Sequence, residues 1–91
     1  MNNNSHLMIF LENEIWAFFD AHGMGDEDHR LLSAEIAHEV VIMVDKGEVG
    51  LTTEGIIKHI SFVLYNVMDK NFAYNVELIQ KIRSLMPCKQ F

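Results

Sequence analysis

The fold of this chain is decided by residues 52–68, which read TTEGIIKHISFVLYNVM. The apolar residues in this segment recur at steps of three and four, which is the spacing of an α-helix and not of a strand. The main apolar stripe consists of Ile56, Ile57, Ile60, Val63, Leu64 and Val67. Phe62, Tyr65 and Met68 lie off that stripe, so the helix is apolar on nearly all sides, which is typical of a helix buried all round.

Two helices are predicted before this segment. The first covers about residues 7–21 and ends before Gly23, which adopts the left-handed conformation of a helix end without strain. Asp26 is a good N-cap for the second helix, because its carboxylate accepts hydrogen bonds from the free N–H groups of the first turn. That helix is predicted to end at Gly47.

One helix is predicted after the central segment, whose own N-cap is Thr52 or Thr53. After a turn, Asn71 is the best N-cap for this last helix, and Pro87 ends it. Its predicted buried residues are Val76, Ile79, Ile82, Leu85 and Met86. Short links favour antiparallel neighbours, so the sequence predicts an all-α fold, a small bundle of three to four helices.

The apolar surface of the central helix predicts association between chains. Ninety-one residues form one domain with a marginal core, and residues 1–6 and 88–91 are predicted to be frayed. In a monomer of this chain length, three or four helices leave one side of the central helix in water, and a two-fold homodimer is the commonest way to cover it. The predicted interface residues are Trp16, Phe19, Ile60, Phe62, Tyr65 and Met68.

The formal charge of −6 is distributed unevenly along the chain. Residues 1–45 contain Arg30 and nine acidic residues, for a charge of −8, whereas residues 46–91 contain six basic and four acidic residues, for +2. The negative total disfavours direct binding to nucleic acid, whose phosphates require a positive surface. The first half is suited to a basic partner and the second to an acidic one, although a plain solvated surface explains the same pattern.

Cysteine content and hydropathy favour a cytoplasmic protein. Cys88 is the only cysteine, which excludes a disulfide within the chain and is typical of a reducing compartment. The early apolar run Leu7–Leu11 has no basic flank, so no signal peptide is predicted. No run approaches the ~18 apolar residues of a membrane span, so we expect no membrane partner.

Two patterns resemble metal sites, and neither has the partners that such a site needs. Glu35 and His38 form a Glu-x-x-His pair on the second helix, but di-iron bundles require a second pair that this chain lacks. The cluster Asp26–His29 consists of consecutive residues, which do not face one another on a helix. No nucleophile–base arrangement or phosphate-binding loop stands out. We therefore expect no cofactor, no metal and no enzymatic activity.

Histidines offer a way for association to respond to pH. Protonating all five of them would change the formal charge from −6 to −1, which weakens self-repulsion near the reference imidazole pKa of about 6.5. The alternative is that these are incidental surface residues. The predicted pH-sensing residues are His22, His29, His38 and His59.

Several packing and turn positions form a familiar pattern. They are the aromatic helix end Trp16–Gly23, the acidic turn Asp26–Asp28, the helix end Val44–Gly47, the pair Ile56 and Ile57, and Ile79 with Ile82. In these positions, within about residues 15–86, the chain resembles the YmgB/AriR family of small enterobacterial regulators. It departs from the family in its longer acidic link, residues 24–28, and in its last four residues, 88–91.

The resemblance implies an all-helical homodimer that brings no catalytic residues with it. It also implies a connector role, in which the protein binds components of a two-component phosphorelay of the Rcs type and alters biofilm and acid-resistance gene expression. The family is similar in shape to the Hha nucleoid-associated regulators, which implies an alternative role as a transcriptional modulator acting through a DNA-bound partner. The expected partners are a second copy of the chain and a signalling or nucleoid-associated protein.

Overall fold

The computed structural model describes residues 5–47, 52–72 and 74–86. These residues form four helices: α1 (Ser5–Ala21), α2 (Glu27–Asp45), α3 (Thr53–Met68) and α4 (Val76–Leu85). No strand occurs within the described ranges, so the predicted all-α bundle of three to four helices is confirmed. The largest contact between helices is that of α1 with α2, and α4 packs against both α3 and α1. None of the described helices is long and apolar enough to cross a membrane.

Capping contacts confirm the predicted starts of α2 and α3. Asp26 Oδ2 accepts a hydrogen bond from a backbone N–H in the first turn of α2 at 3.4 Å. Thr52 Oγ1 accepts one from Gly55 N at 3.1 Å. Gly23 and Gly47 have φ angles of 80° and 65°, the left-handed conformation that is expected after a helix.

The core lies between the inward faces of all four helices. The most deeply buried large side chains are Leu7, Leu11, Ile15, Phe19, Ile56, Ile60, Leu64 and Ile82. This result corrects the interface prediction for Phe19, Ile60 and Met68, which are buried within the subunit itself. On α3 the physical reason is helical phase, because positions 60, 64 and 68 recur every four residues on the inward side.

The start of α4 differs from the prediction. Asn75, and not Asn71, caps the helix, since its Oδ1 accepts a hydrogen bond from Leu78 N at 2.9 Å. Phe72, which a helix starting after Asn71 would contain, instead lies outside any helix. Its ring is buried edge-on against Phe18, with the ring centroids 5.3 Å apart. This contact fixes the link between α3 and α4.

The buried face of α4 also differs from the prediction. Leu78 and Ile82 face the core, whereas Val76 is 66% exposed, so the prediction of a buried Val76 is wrong. Val76 precedes Leu78 by two residues, which is a rotation of about 200° around the helix, so the two cannot face the same side. The predicted burial of Ile82 is confirmed, and Ile79, Leu85 and Met86 are partly buried against the core.

The predictions for the chain ends are only partly covered by the described residues. Ser5 and His6, predicted as frayed, are the first residues of α1. Residues 1–4 and 88–91, together with Pro87 as the predicted end of the last helix, lie outside the described residues.

We expect Asn75→Ala to destabilise the protein and Asn71→Ala to leave its stability nearly unchanged. Loss of the N-cap acceptor leaves N–H groups at the start of α4 without a partner, which lowers the free energy of unfolding by about 1 kcal/mol. Chemical denaturation followed by circular dichroism measures both variants. A loss for Asn71→Ala as large as that for Asn75→Ala would contradict the position of the cap.

Candidate interaction surfaces

The outward side of α3 carries two large aromatic side chains in water. Phe62 is 68% exposed and Tyr65 is 50% exposed, although the opposite side of the helix is buried. A helix turns by about 100° per residue, so positions 58, 62 and 65 lie on one side, and the C-cap residue Asp69, whose N–H still bonds to Tyr65 O, follows them at the end of α3. We call the surface formed by Lys58, Phe62, Tyr65 and Asp69 the α3 face. Neighbouring exposed aromatic residues are typical of interaction sites.

A groove of about 470 Å³ adjoins the α3 face. It lies between α3 and the link to α4, and its lining includes Ile57, Phe72 and Tyr74 in addition to residues of the α3 face. Tyr74 is 56% exposed. Ser61 also lines the groove, and its Oγ is buried without a hydrogen-bond partner among the described residues. The groove therefore widens the apolar surface that α3 offers to a partner.

Opposite charges flank the aromatic pair of the α3 face. Lys58 lies one turn before Phe62, and Asp69 lies one turn after Tyr65. Neither charged group forms an ion pair within the part of the chain that the structure describes. Asp69 is the C-cap of α3 with a left-handed φ of 57°, and its carboxylate lies at the helix end where the dipole disfavours negative charge. A cation from outside the chain would therefore be favoured there.

Trp16, one of the predicted interface residues, is partly buried and contacts α2. The guanidinium of Arg30 lies over its ring, 5.3 Å from the centroid. Arg30 Nε is also 3.7 Å from Glu12 Oε2 on α1. Part of the indole surface is thus used in a cation–π contact inside the subunit, and the interface role of Trp16 stays a prediction.

A second candidate surface lies on the outward side of α2. Leu31 and Ile42 are 57% and 37% exposed. Glu35 and His38, which are also exposed, lie between them at steps of three and four residues. We call these four residues the α2 face. It belongs to the half of the chain with a charge of −8, so it is suited to a partner segment that is both basic and apolar.

Two of the four predicted pH-sensing histidines lie near the turn between α1 and α2. The Nδ1 atom of His22 is 2.9 Å from the carbonyl oxygen of Phe18. The ring of His29 packs 5.1 Å from that of Phe19, and its Nδ1 donates a hydrogen bond to Asp26 Oδ1 at 2.7 Å. Both imidazoles therefore contribute to the local structure of this turn.

The other two predicted pH-sensing histidines lie on α2 and α3. His38 is exposed on the α2 face. His59 Nε2 is buried without a hydrogen-bond partner among the described residues and lies 3.9 Å from Glu39 Oε1. Protonation of His59 would convert this contact into an ion pair between α2 and α3. A role in pH sensing stays a prediction for all four histidines.

We expect the contact between Asp26 and His29 to make stability depend on pH in acid. The hydrogen bond from His29 holds the pKa of Asp26 below its ordinary value of 3.8. A carboxylate whose pKa is lowered on folding stabilises the protein above the unfolded-state pKa, and this contribution is lost as pH falls through the folded-state pKa. Asp26→Asn keeps an N-cap but cannot titrate, so its melting temperature should fall less than that of the parent below about pH 4. If the melting temperatures of the two proteins fell equally as the pH is lowered, this assignment would be contradicted.

Metal-binding patterns from the sequence are not assembled into clusters in the structure. Within residues 5–47, 52–72 and 74–86, no group of three or more His, Cys, Asp or Glu residues is placed to hold a metal ion. Glu35 and His38 both lie on the exposed α2 face. Of the cluster at positions 26–29, Asp26 and His29 are joined by their hydrogen bond.

Comparisons with protein-family models, curated proteins and solved structures give no match to this chain. The two exposed surfaces are therefore the features of the molecule that bear on its function.

The predicted interface residues included none of the α2 face, and they also missed Lys58, Asp69 and Tyr74. Of these three, Lys58 and Asp69 belong to the α3 face and Tyr74 to the adjoining groove. Lys58 and Asp69 were readable from their spacing with the aromatic residues of α3, whereas Tyr74, like Phe72, lies outside the helices, and no local pattern indicates this.

Proposed function

We propose that this protein is a cytoplasmic regulatory protein that forms a two-fold homodimer and acts by binding another protein. The observation that carries the proposal is the exposed aromatic pair of the α3 face, Phe62 and Tyr65. Aromatic residues are enriched at protein interfaces and dominate their binding energy. A second copy of the chain would remove both from water, and a two-fold dimer is the commonest assembly that does so.

The proposed role of the dimer is that of a connector in a two-component phosphorelay of the Rcs type, which controls biofilm formation and acid resistance under stress. The resemblance to the YmgB/AriR family supports this role. The α2 face supports it as well, because it lies on a different helix from the α3 face and can bind a partner while α3 is occupied. Glu35 on this face and the charge of −8 on residues 1–45 favour a basic surface on that partner.

Solution mass tests the homodimer. Light scattering should give twice the 10.5 kDa of one chain. A single-chain mass at the highest attainable concentration would refute the dimer. The same series at neutral and mildly acidic pH tests the predicted histidine response, since an unchanged dimer constant would exclude it.

Direct binding to purified phosphorelay proteins tests the connector role. We expect the dimer to bind a sensor kinase, phosphotransfer protein or response regulator of the relay, as measured by fluorescence anisotropy. Leu31→Arg places a basic group on the α2 face and should weaken this binding, whereas Val76→Arg, at an equally exposed position of α4, serves as the control. Failure to bind any component would refute the connector role.

The alternative role is an Hha-like transcriptional modulator that acts through a DNA-bound partner. The charge of −8 on residues 1–45 favours a basic protein over DNA as the ligand. Binding to a purified nucleoid-associated protein, without binding to phosphorelay components, would favour this alternative. Tight and strongly salt-dependent binding to DNA alone would contradict both roles.

A further inference from the structure

We infer that the second copy docks antiparallel to the first along α3, with Lys58 of each subunit paired with Asp69 of the partner subunit. This inference rests on the proposed homodimer and specifies its geometry. Its basis is the order of side chains along the α3 face, which runs cation, aromatic, aromatic, anion.

The α3 face is complementary to itself under a two-fold rotation. Lys58, Phe62, Tyr65 and Asp69 are separated by four, three and four residues, so the series is symmetric about the midpoint between positions 63 and 64. By helical geometry up to the C-cap, the Cα atoms of Lys58 and Asp69 are about 16.5 Å apart along the axis of α3 and about 20° apart around it. A two-fold axis at the midpoint, perpendicular to the helix, places Lys58 opposite Asp69 of the partner subunit and Phe62 opposite Tyr65 of the partner subunit.

Charge selects the antiparallel arrangement over the parallel one. A parallel pair would place Lys58 opposite Lys58 of the partner subunit and the two Asp69 carboxylates opposite each other, and like charges in an interface repel. The antiparallel pair instead has an ion pair on each side of the aromatic centre. Glu54 is the acidic residue one turn before Lys58 on the same side of α3. It is already paired with Arg83 of α4 at 3.2 Å, so it does not compete for Lys58.

Asp69 gains the most from this pairing. Its carboxylate lies at the negative end of the α3 dipole and has no basic partner among the described residues. A lysine from the second copy offsets both the dipole and the lack of a counter-ion.

The area that such an interface requires is compatible with the size of this chain. A stable interface buries about 800 Å² per partner, which is about one part in seven of the 5995 Å² that the subunit exposes. The α3 helix of 16 residues is about 24 Å long, and the adjoining groove with Tyr74 widens the contact. The α3 face and the adjoining groove are therefore large enough for a second copy of the chain to bind there.

Charge reversal between two variants tests the pairing. Lys58→Glu and Asp69→Lys each replace two attractions across the two-fold axis by two repulsions. Each variant alone should therefore raise the dimer dissociation constant by at least about tenfold. In an equimolar mixture, every heterodimer again has opposite charges at both contacts. Its dissociation constant should return to within about threefold of the parent value.

Matched variants control for the change in charge and for the backbone at position 69. Lys46→Glu, at the C-cap of α2, and Glu35→Lys, within α2, make the same charge changes away from the α3 face and should neither weaken the dimer nor favour heterodimers. Asp69→Asn removes the charge but keeps a residue that tolerates the left-handed conformation, so it separates the ion pair from strain. Circular dichroism checks the fold of each variant, and native mass spectrometry counts homodimers and heterodimers.

Two outcomes separate this inference from the homodimer on which it rests. The antiparallel pairing would be overturned if Lys58→Glu and Asp69→Lys each formed homodimers with the dissociation constant of the parent, or if their mixture showed no preference for heterodimers. Either result would leave the homodimer itself in place. A parent protein that stays monomeric would refute the homodimer itself, and the pairing with it.

Discussion

Phe62→Glu is expected to convert the homodimer into a monomer without unfolding the subunit. Phe62 is exposed in the single chain, so a carboxylate at this position is solvated before association and strains nothing in the fold. In the dimer, each subunit would contribute one unpaired charge to the aromatic centre, and each such charge costs about 2–5 kcal/mol. The dissociation constant should rise by at least about 10³, which sedimentation over a concentration series measures.

The controls for this result lie on both exposed faces. Tyr65→Glu should dissociate the dimer in the same way, because Tyr65 lies on the same side of α3. Leu31→Glu changes an exposed apolar residue on α2 and should leave the dimer intact. If the Phe62 and Tyr65 variants both sediment as the parent does, the α3 face is not the interface.

Phe19→Ala is expected to remove a large part of the stability of the subunit. The side chain is fully buried, and its ring packs 5.1 Å from that of His29 across the turn between α1 and α2. Truncation leaves a cavity and should lower the free energy of unfolding by about 3–5 kcal/mol. Total stabilities of single domains are about 5–15 kcal/mol, so much of the protein would unfold under mild conditions.

Urea denaturation at one fixed protein concentration measures this loss, because the apparent free energy of unfolding of an associating protein rises with the logarithm of its concentration. Ile9→Ala is the control on the same helix. Ile9 is exposed, so its truncation should change stability by no more than about 0.5 kcal/mol. Equal losses for the two variants would contradict the described packing of α1.

Local chemistry made most of the helix boundaries predictable. Asp26 and Thr52 accept hydrogen bonds from residues three positions further along the chain. Gly23 and Gly47 adopt the left-handed conformation because they lack a Cβ atom. These effects involve neighbours in sequence only, so the sequence contains all that is needed to foresee them.

The start of α4 could not be predicted on the same basis. Asn71 and Asn75 are both suitable N-caps, and each is followed by an apolar residue. The choice depends on Phe72, which packs against Phe18 of α1 instead of continuing a helix. A contact between residues this distant in sequence leaves no local signal, and it outweighs the capping preference of Asn71.

The candidate interface on α3 was only partly predictable for a related reason. The outward side of α3 has charged residues only towards its ends and two aromatic residues in its middle, so hydrophobicity alone does not separate its middle from the buried side. The sequence therefore grouped Ile60 and Met68, which face the core, with Phe62 and Tyr65, which face outward. The neighbours that decide the orientation of α3 come from other helices, and only the assembled fold supplies them.

At position 69, the left-handed end of α3 favours one residue for the stability of the monomer and another for dimerisation. Glycine adopts this conformation without strain, so Asp69→Gly would make the lone subunit more robust. The same change would delete the acid that a neighbouring lysine needs for recognition. The residue at position 69 that gives the most stable monomer is therefore not the residue that gives the most specific dimerisation.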